Sequence, residues 1–199
     1  VRLAIADPPY PPSVSERHDT ATGVPRLTVR SRARRYYGDG SDDQRRHKAD
    51  HHDQAGAWDD PAHHRLLLEQ LLAKYDGWAI ATSMDGLDAY RPLPPGARVL
   101  IWRKLTSTRG GGLIANTMEA VIVYPHHTRR GRRGGPLGQV SDFLQCEPPA
   151  KSRFAGAKPT RWTRWVLDAL GYDQELDTVD DLFPGSGYVA TEISQGILL

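Results

Sequence analysis

Apolar positions are grouped unevenly along the chain, which separates stretches that can build a core from stretches that cannot. The first group, Arg2 to Ala6 (RLAIA), stops at Asp7-Pro8-Pro9-Tyr10-Pro11-Pro12. Proline lacks the N–H that a ladder needs, so the run reads as a buried strand whose carboxyl end opens into a rigid loop. From Ser13 to Asp60 almost nothing is apolar and no period is visible. Basic residues gather there at Arg26, Arg30, Arg32, Arg34, Arg35, Arg45, Arg46 and Lys48. A structureless stretch of this length inside a compact domain is a lid, a binding loop or disordered. The expectation is a mobile basic insertion at about 13–60.

Regular patterning resumes at Pro61. Asp59 or Asp60 can cap a helix with proline in its first turn, and leucines 66, 67, 68, 71 and 72 supply an apolar stripe that ends near Asp76-Gly77. Trp78–Thr82 reads as a strand, Asp85–Tyr90 as a short helix and Arg98–Trp102 as a strand after the Pro94-Pro95-Gly96 turn. Glu119–Tyr124 is a further strand beyond the glycine run 110–112. Segment 128–157 is polar, Gly-rich and Arg-rich. Pro159 opens a helix carrying Trp162, Trp165, Val166 and Leu170, and Thr178–Phe183 is a strand leading into Pro184-Gly185-Ser186-Gly187 and a short final helix. Helix-separated strands followed by two strands in succession imply an α/β sheet, mostly parallel with an antiparallel edge.

Composition narrows the classes. A length of 199 residues suits one domain, 1–199, or a domain with a small appendage. No apolar run approaches the ~20 residues that cross a bilayer, and VRLAIADPP lacks the regions of a signal peptide, so membrane and secretory readings are set aside in favour of a cytoplasmic one. A single cysteine, Cys146, excludes a disulfide scaffold and any Cys-cluster zinc site. Histidines 47, 51, 52, 63 and 64 stand without cysteine partners, and no structural metal is expected. Net charge is only +2, so an argument for nucleic acid rests on where the charges sit.

Two loops carry chemistry. The Gly185-Ser186-Gly187 turn after Asp181-Leu182-Phe183 is a strand-to-helix glycine loop that lets a cofactor approach the backbone and the helix N-terminus, although many such turns are glycine-rich for steric reasons alone. Asp7-Pro8-Pro9-Tyr10 is more specific: a strand-end carboxylate, two ring-locked residues and an aromatic form a rigid clamp for a flat polar group. The plainer reading is a proline-rich strand exit with a capping Asp.

Together these motifs resemble those of the amino-methyltransferases of nucleic acids, which use S-adenosylmethionine to methylate the exocyclic amino group of adenine or, in a sister group, cytosine. Asp7-Pro8-Pro9-Tyr10 is similar to their catalytic motif, and Asp181 to Gly187 to their Asp-Pro-Phe-x-Gly-Ser-Gly cofactor motif, with Leu182 in place of proline. Lys158-Pro159 is similar to the segment preceding the cofactor motif in permuted members, and Trp102-Arg103-Lys104 and Glu119 are weaker echoes. The resemblance implies an abbreviated, circularly permuted Rossmann-like class I methyltransferase sheet. It further implies catalysis by Asp7, Pro8, Pro9 and Tyr10, with cofactor contacts from Lys158, Pro159, Asp181, Phe183, Gly185, Ser186 and Gly187.

The resemblance implies transfer to an amino group in DNA, as a duplex with a flipped base or single-stranded, and adenine is favoured because an Asp at the first motif position is typical of adenine enzymes. Cytosine, RNA, a small-molecule substrate and an inactive nucleic-acid-binding relative stay open, as does an oligomer. The chain departs from the family by ending soon after the glycine loop, with no further strand to supply the acid that usually binds the cofactor ribose, and Glu192 lies too close to the glycines to replace it. The Arg-rich segments read as phosphate-contacting arms through Arg34, Arg35, Arg129, Arg130, Arg132 and Arg133, with Tyr36 and Tyr37 available to stack on unpaired bases. The alternative is a solvated loop.

Overall fold

The computed structural model describes residues 1–33, 54–105, 114–129, 139–149, 156–185 and 187–195. The chain runs β1 (Arg2–Ala6), β2 (Ser13–His18), β3 (Pro25–Arg30), a 3-10 turn (Ala55–Asp59), α1 (Pro61–Lys74), β4 (Gly77–Ser83) and a second 3-10 turn (Asp85–Tyr90). It continues through β5 (Arg98–Lys104), β6 (Met118–Tyr124), β7 (Phe143–Cys146), α2 (Thr160–Leu170), β8 (Thr178–Asp181) and α3 (Tyr188–Gln195).

Six strands form one sheet in the order β7-β5-β6-β4-β1-β8, and β2 pairs with β3 in a separate hairpin. β1 is parallel to both β4 and β8, and β5 is parallel to β7, while β6 runs antiparallel to β4 and β5. The reversed strand therefore lies inside the sheet, not at the edge that the strand succession suggested. β7, which the polar 128–157 segment concealed, extends the sheet beyond β5.

Side-chain alternation builds a core on each face. Leu3, Ile5, Ala79, Ala81, Val121 and Val123 pack with Trp162, Trp165, Val166 and Leu170 of α2 and Val189 of α3. The intervening residues Ala4, Ala6, Trp78, Ile80, Ala120 and Ile122 pack with Leu67, Leu68 and Leu71 of α1 and with Leu87 and Tyr90. Helices thus cover both faces, as a mostly parallel sheet requires. Asp60 is the residue that caps α1, its side chain accepting the Ala62 N–H at 2.9 Å with Pro61 in the first turn. Only three of the five stripe leucines are buried: Leu66 and Leu72 face solvent, and His64 completes the buried stripe.

The 13–60 insertion is corrected in part. Its first portion is the β2–β3 hairpin and its last is the 3-10 turn before α1. The hairpin escapes a search for apolar period because its strands are exposed on both faces, which leaves no core-facing alternation to detect.

Candidate active site

Ligands bind to sheets of this kind beyond the carboxyl ends of the parallel strands. Ile5 of β1 stands opposite Asp181 of β8, and the Leu182 N–H donates to the Ile5 carbonyl at 3.0 Å. The Asp7 loop and the glycine loop therefore leave the sheet side by side although they lie near opposite ends of the sequence. The proline loop is held down on its far side: Pro11 is buried, and a Cβ on Gly86 would meet its Cδ at 3.0 Å and Thr82 Oγ1 at 2.5 Å.

The reversal of β6 brings a second carboxylate to this edge. Glu119 lies at the beginning of β6, opposite Ser83 and Trp102, so an antiparallel strand starts where its neighbours finish. Lys104 arrives from the end of β5 and Lys158 from just before α2. The Lys158 ammonium donates to both Asp7 oxygens at 2.9 and 2.8 Å, to the Tyr10 hydroxyl at 2.9 Å and to the Gly156 carbonyl at 3.1 Å. The Tyr10 hydroxyl donates to Glu119 Oε2 at 2.7 Å, which lies 3.4 Å from Lys158 Nζ, and Lys104 pairs with Glu119 Oε1. Two cations and two carboxylates balance in charge, and the rings of Tyr10, Trp162 and Trp102 surround Lys158 Nζ at 5.2, 5.7 and 6.0 Å.

The two acids are driven apart. Burial pushes the Asp7 carboxyl above its ordinary value against the pull of Lys158, with the Glu119 charge adding to the rise. Burial also pushes Glu119 upward, but Lys158, Lys104 and the bonds from Lys104 and Tyr10 outweigh it and hold Glu119 below its ordinary value. Glu119 is thus the fixed anion of the cluster, and Asp7, at the loop, is the acceptor whose state responds to its surroundings.

In the second loop, Asp181 Oδ1 accepts the Phe183 N–H at 3.2 Å, and burial raises its carboxyl with the Asp7 charge adding. Among the described residues, a Cβ on Gly185 would meet nothing nearer than the Phe183 carbonyl at 4.0 Å, and one on Gly187, at φ +72°, would meet nothing within 4 Å. The Phe183 ring meets Trp58 edge-on at 5.2 Å. Behind it, His64 is fixed in one tautomer: Nε2–H donates to the Trp58 carbonyl at 2.9 Å, and Nδ1 accepts from the Tyr90 hydroxyl at 2.7 Å. Burial lowers the His64 pKa and keeps the ring neutral.

The structure thus gathers Asp7, Pro8, Pro9 and Tyr10 with Asp181, Phe183, Gly185 and Gly187 at one edge. Lys158, expected with the cofactor loop, pairs with Asp7 instead, and Pro159 is at the entry of α2, where its carbonyl accepts the Trp162 N–H at 2.8 Å. Arg129 is a correction. Its guanidinium makes bonds of 2.6 and 2.8 Å to the fully buried carboxylate of Asp177, which ties it into the body of the protein and takes it from the phosphate-contacting set. Glu192 is buried and paired with Arg164 at 3.0 Å. Ser186, Arg34, Arg35, Tyr36, Tyr37, Arg130, Arg132, Arg133 and histidines 47, 51 and 52 lie outside the described residues.

Sequence reasoning missed Trp58 and the role of His64. The only signals were an isolated tryptophan before the α1 cap and a histidine spaced i, i+3, i+4 and i+7 with Leu67, Leu68 and Leu71. No protein-family model matches the chain, and no curated protein matches it.

Proposed function

We propose that this chain is a methyltransferase that moves a methyl group from S-adenosylmethionine to the exocyclic amino group of adenine in DNA. The observation that carries the proposal is the meeting of the Asp7-Pro8-Pro9-Tyr10 and Asp181–Gly187 loops on adjacent parallel strands, Ile5 opposite Asp181. A mixed α/β sheet with these strands adjacent, one from each end of the sequence, suits a circularly permuted Rossmann-like core. β8 is the sheet edge among the described residues.

The residues fit the cofactor. Among the described residues nothing crowds Gly185 or Gly187, which suits a ligand approaching the backbone, and Asp181 offers a carboxylate with no cation paired to it, suited to a positively charged amino group. Phe183, braced by Trp58, supplies an apolar wall. The cofactor brings a methyl group on a positively charged sulfur, an acceptor for a nitrogen lone pair.

The protein's task is to make that lone pair available. An aromatic amino nitrogen donates into its ring and is a poor nucleophile. Asp7 and the Pro8 carbonyl accept its two N–H bonds, which favours a pyramidal nitrogen and directs the lone pair outward. Lys158 holds both Asp7 oxygens, orienting the carboxylate and favouring its ionised form. Asp7 need not be a strong base, because the nitrogen proton becomes acidic once the new bond forms. Tyr10 is anchored through its hydroxyl, so its ring face is fixed for stacking on a base that has left the helix.

The test is modified-base sequencing of DNA from cells expressing the protein, beside Asp7→Ala. Methylated adenine that disappears in the variant is expected. Unmodified DNA together with no calorimetric binding of S-adenosylmethionine would overturn the proposal.

A further inference from the structure

The β2–β3 hairpin sorts its residues by register. Val14 faces Val29, Glu16 faces Leu27 and His18 faces Pro25, while the alternate pairs are Ser13 with Arg30, Ser15 with Thr28 and Arg17 with Arg26. Successive residues point to opposite faces of a strand. One face therefore carries Val14, Val29 and Leu27 together with Glu16, which pairs with His18 at 3.5 Å. The other carries the serines, the threonine, Arg26 and Arg30. Glu16 is the one acid in either strand and lies on the face away from these arginines.

Arg26 and Arg30 are exposed and make no ion pair among the described residues. An exposed basic face, with the one acid of the two strands on the other side, is complementary to a polyanion.

Its position points the same way. β2 begins directly after the Asp7–Pro12 loop. Beyond β3, the Arg32 guanidinium donates to both oxygens of Asp85 at 2.9 and 2.7 Å and to Ser83 Oγ, at the carboxyl end of β4. Both roots of the hairpin are thus fixed at the edge that holds Asp7. Each strand has six residues, a reach of roughly 20 Å at ~3.3 Å per residue. The major groove of duplex DNA, about 12 Å wide, admits a two-stranded ribbon.

We infer that the β2–β3 hairpin is a DNA-binding ribbon that enters the major groove beside the target base with its Arg26 and Arg30 face on the DNA. The inference rests on the nucleic-acid substrate proposed above. It is tested by anisotropy of a short fluorescent duplex with the full chain, without cofactor, across a salt series. Arg26→Ser/Arg30→Ser should lower the log-affinity against log-salt slope by about 1.8, at ~0.9 per phosphate contact. Arg26→Lys/Arg30→Lys should keep the slope, and Leu27→Ser on the opposite face should leave it unchanged.

A wild-type slope in the serine variant overturns the inference, as does an equal slope loss in Leu27→Ser. Duplex RNA of the same sequence bound with the same arginine dependence overturns groove entry, because the A-form major groove is too narrow for side chains to read. Arginine-dependent DNA binding without methyl transfer would overturn the proposed reaction and leave the ribbon standing. Methyl transfer to DNA with an unchanged slope would do the reverse.

Discussion

Replacing Lys158 by Met keeps most of the apolar stem and removes the ammonium, its charge together with its N–H donors, so it isolates what that group does at the site. Lys158 is the partner of both Asp7 oxygens, a donor to Tyr10 and a near neighbour of Glu119. Removing one member of a buried ion pair typically costs ~3–5 kcal/mol, because the other charge is left unpaired. The Lys158 and Glu119 side chains are 6% and 7% exposed, but that of Asp7 is 29% exposed, so water recovers part of the loss. Glu119 also retains Lys104. The expected destabilisation of Lys158→Met at neutral pH is therefore near the lower end, about 3 kcal/mol.

The sign of the pH dependence follows from Asp7. Its carboxyl is already above its ordinary value, and losing Lys158 removes the largest opposing influence, raising it further. A folded-state pKa above the unfolded value means that the folded protein takes up a proton first, so the deficit is full at neutral pH and shrinks as pH falls through the raised value. Urea unfolding of wild type, Asp7→Asn, Lys158→Met and the double variant closes a cycle. A coupling of at least about 1 kcal/mol is expected for groups in direct contact, whereas independent sites add within about 0.5 kcal/mol. Additivity within that margin, or a deficit that grows on acidification, would refute the reasoning.

Three further outcomes follow from other contacts. Arg129→Ala should destabilise the fold by ~3 kcal/mol in urea unfolding, since it removes the guanidinium paired with the buried Asp177 carboxylate, which keeps the Asp173 N–H at 2.7 Å, while leaving the salt slope of DNA binding as in wild type. Asp177 is held down to about 2 by Arg129 and the Asp173 N–H, against the upward push of burial. Its contribution to stability should persist above its unfolded value and disappear as pH falls through about 2, and Asp177→Asn should flatten that acid limb of the unfolding profile. Gly185→Val should weaken S-adenosylmethionine binding in calorimetry far more than it changes the thermal midpoint, because the added carbons enter space that the described residues leave open.

The periods of the buried elements were legible in the sequence. Proline punctuation and apolar runs located β1, α1, β4, β5, β6, α2 and β8 to within a few residues, because elements that face a core must repeat with the spacing of their backbone. The loop residues Asp7–Tyr10 and Asp181–Gly187 were legible too, as proline and glycine punctuation at strand ends, and Gly187 at φ +72° holds a backbone that favours glycine. β2, β3 and β7 were not: short or exposed strands leave little one-sided burial for a pattern to record.

What only the tertiary structure decided is which charges meet. Lys158 and Arg129 look alike in sequence as cations near candidate sites. Chain packing gives the first to Asp7 and Tyr10 and the second to Asp177, pairings that span 151 and 48 residues of sequence. Glu119 joins the site because β6 runs backwards, so its beginning lies beside the ends of β4 and β5. Local pattern fixes how a residue points from its own strand or helix. Strand order and direction, set by long-range burial, determine which residues from distant segments share one sheet edge.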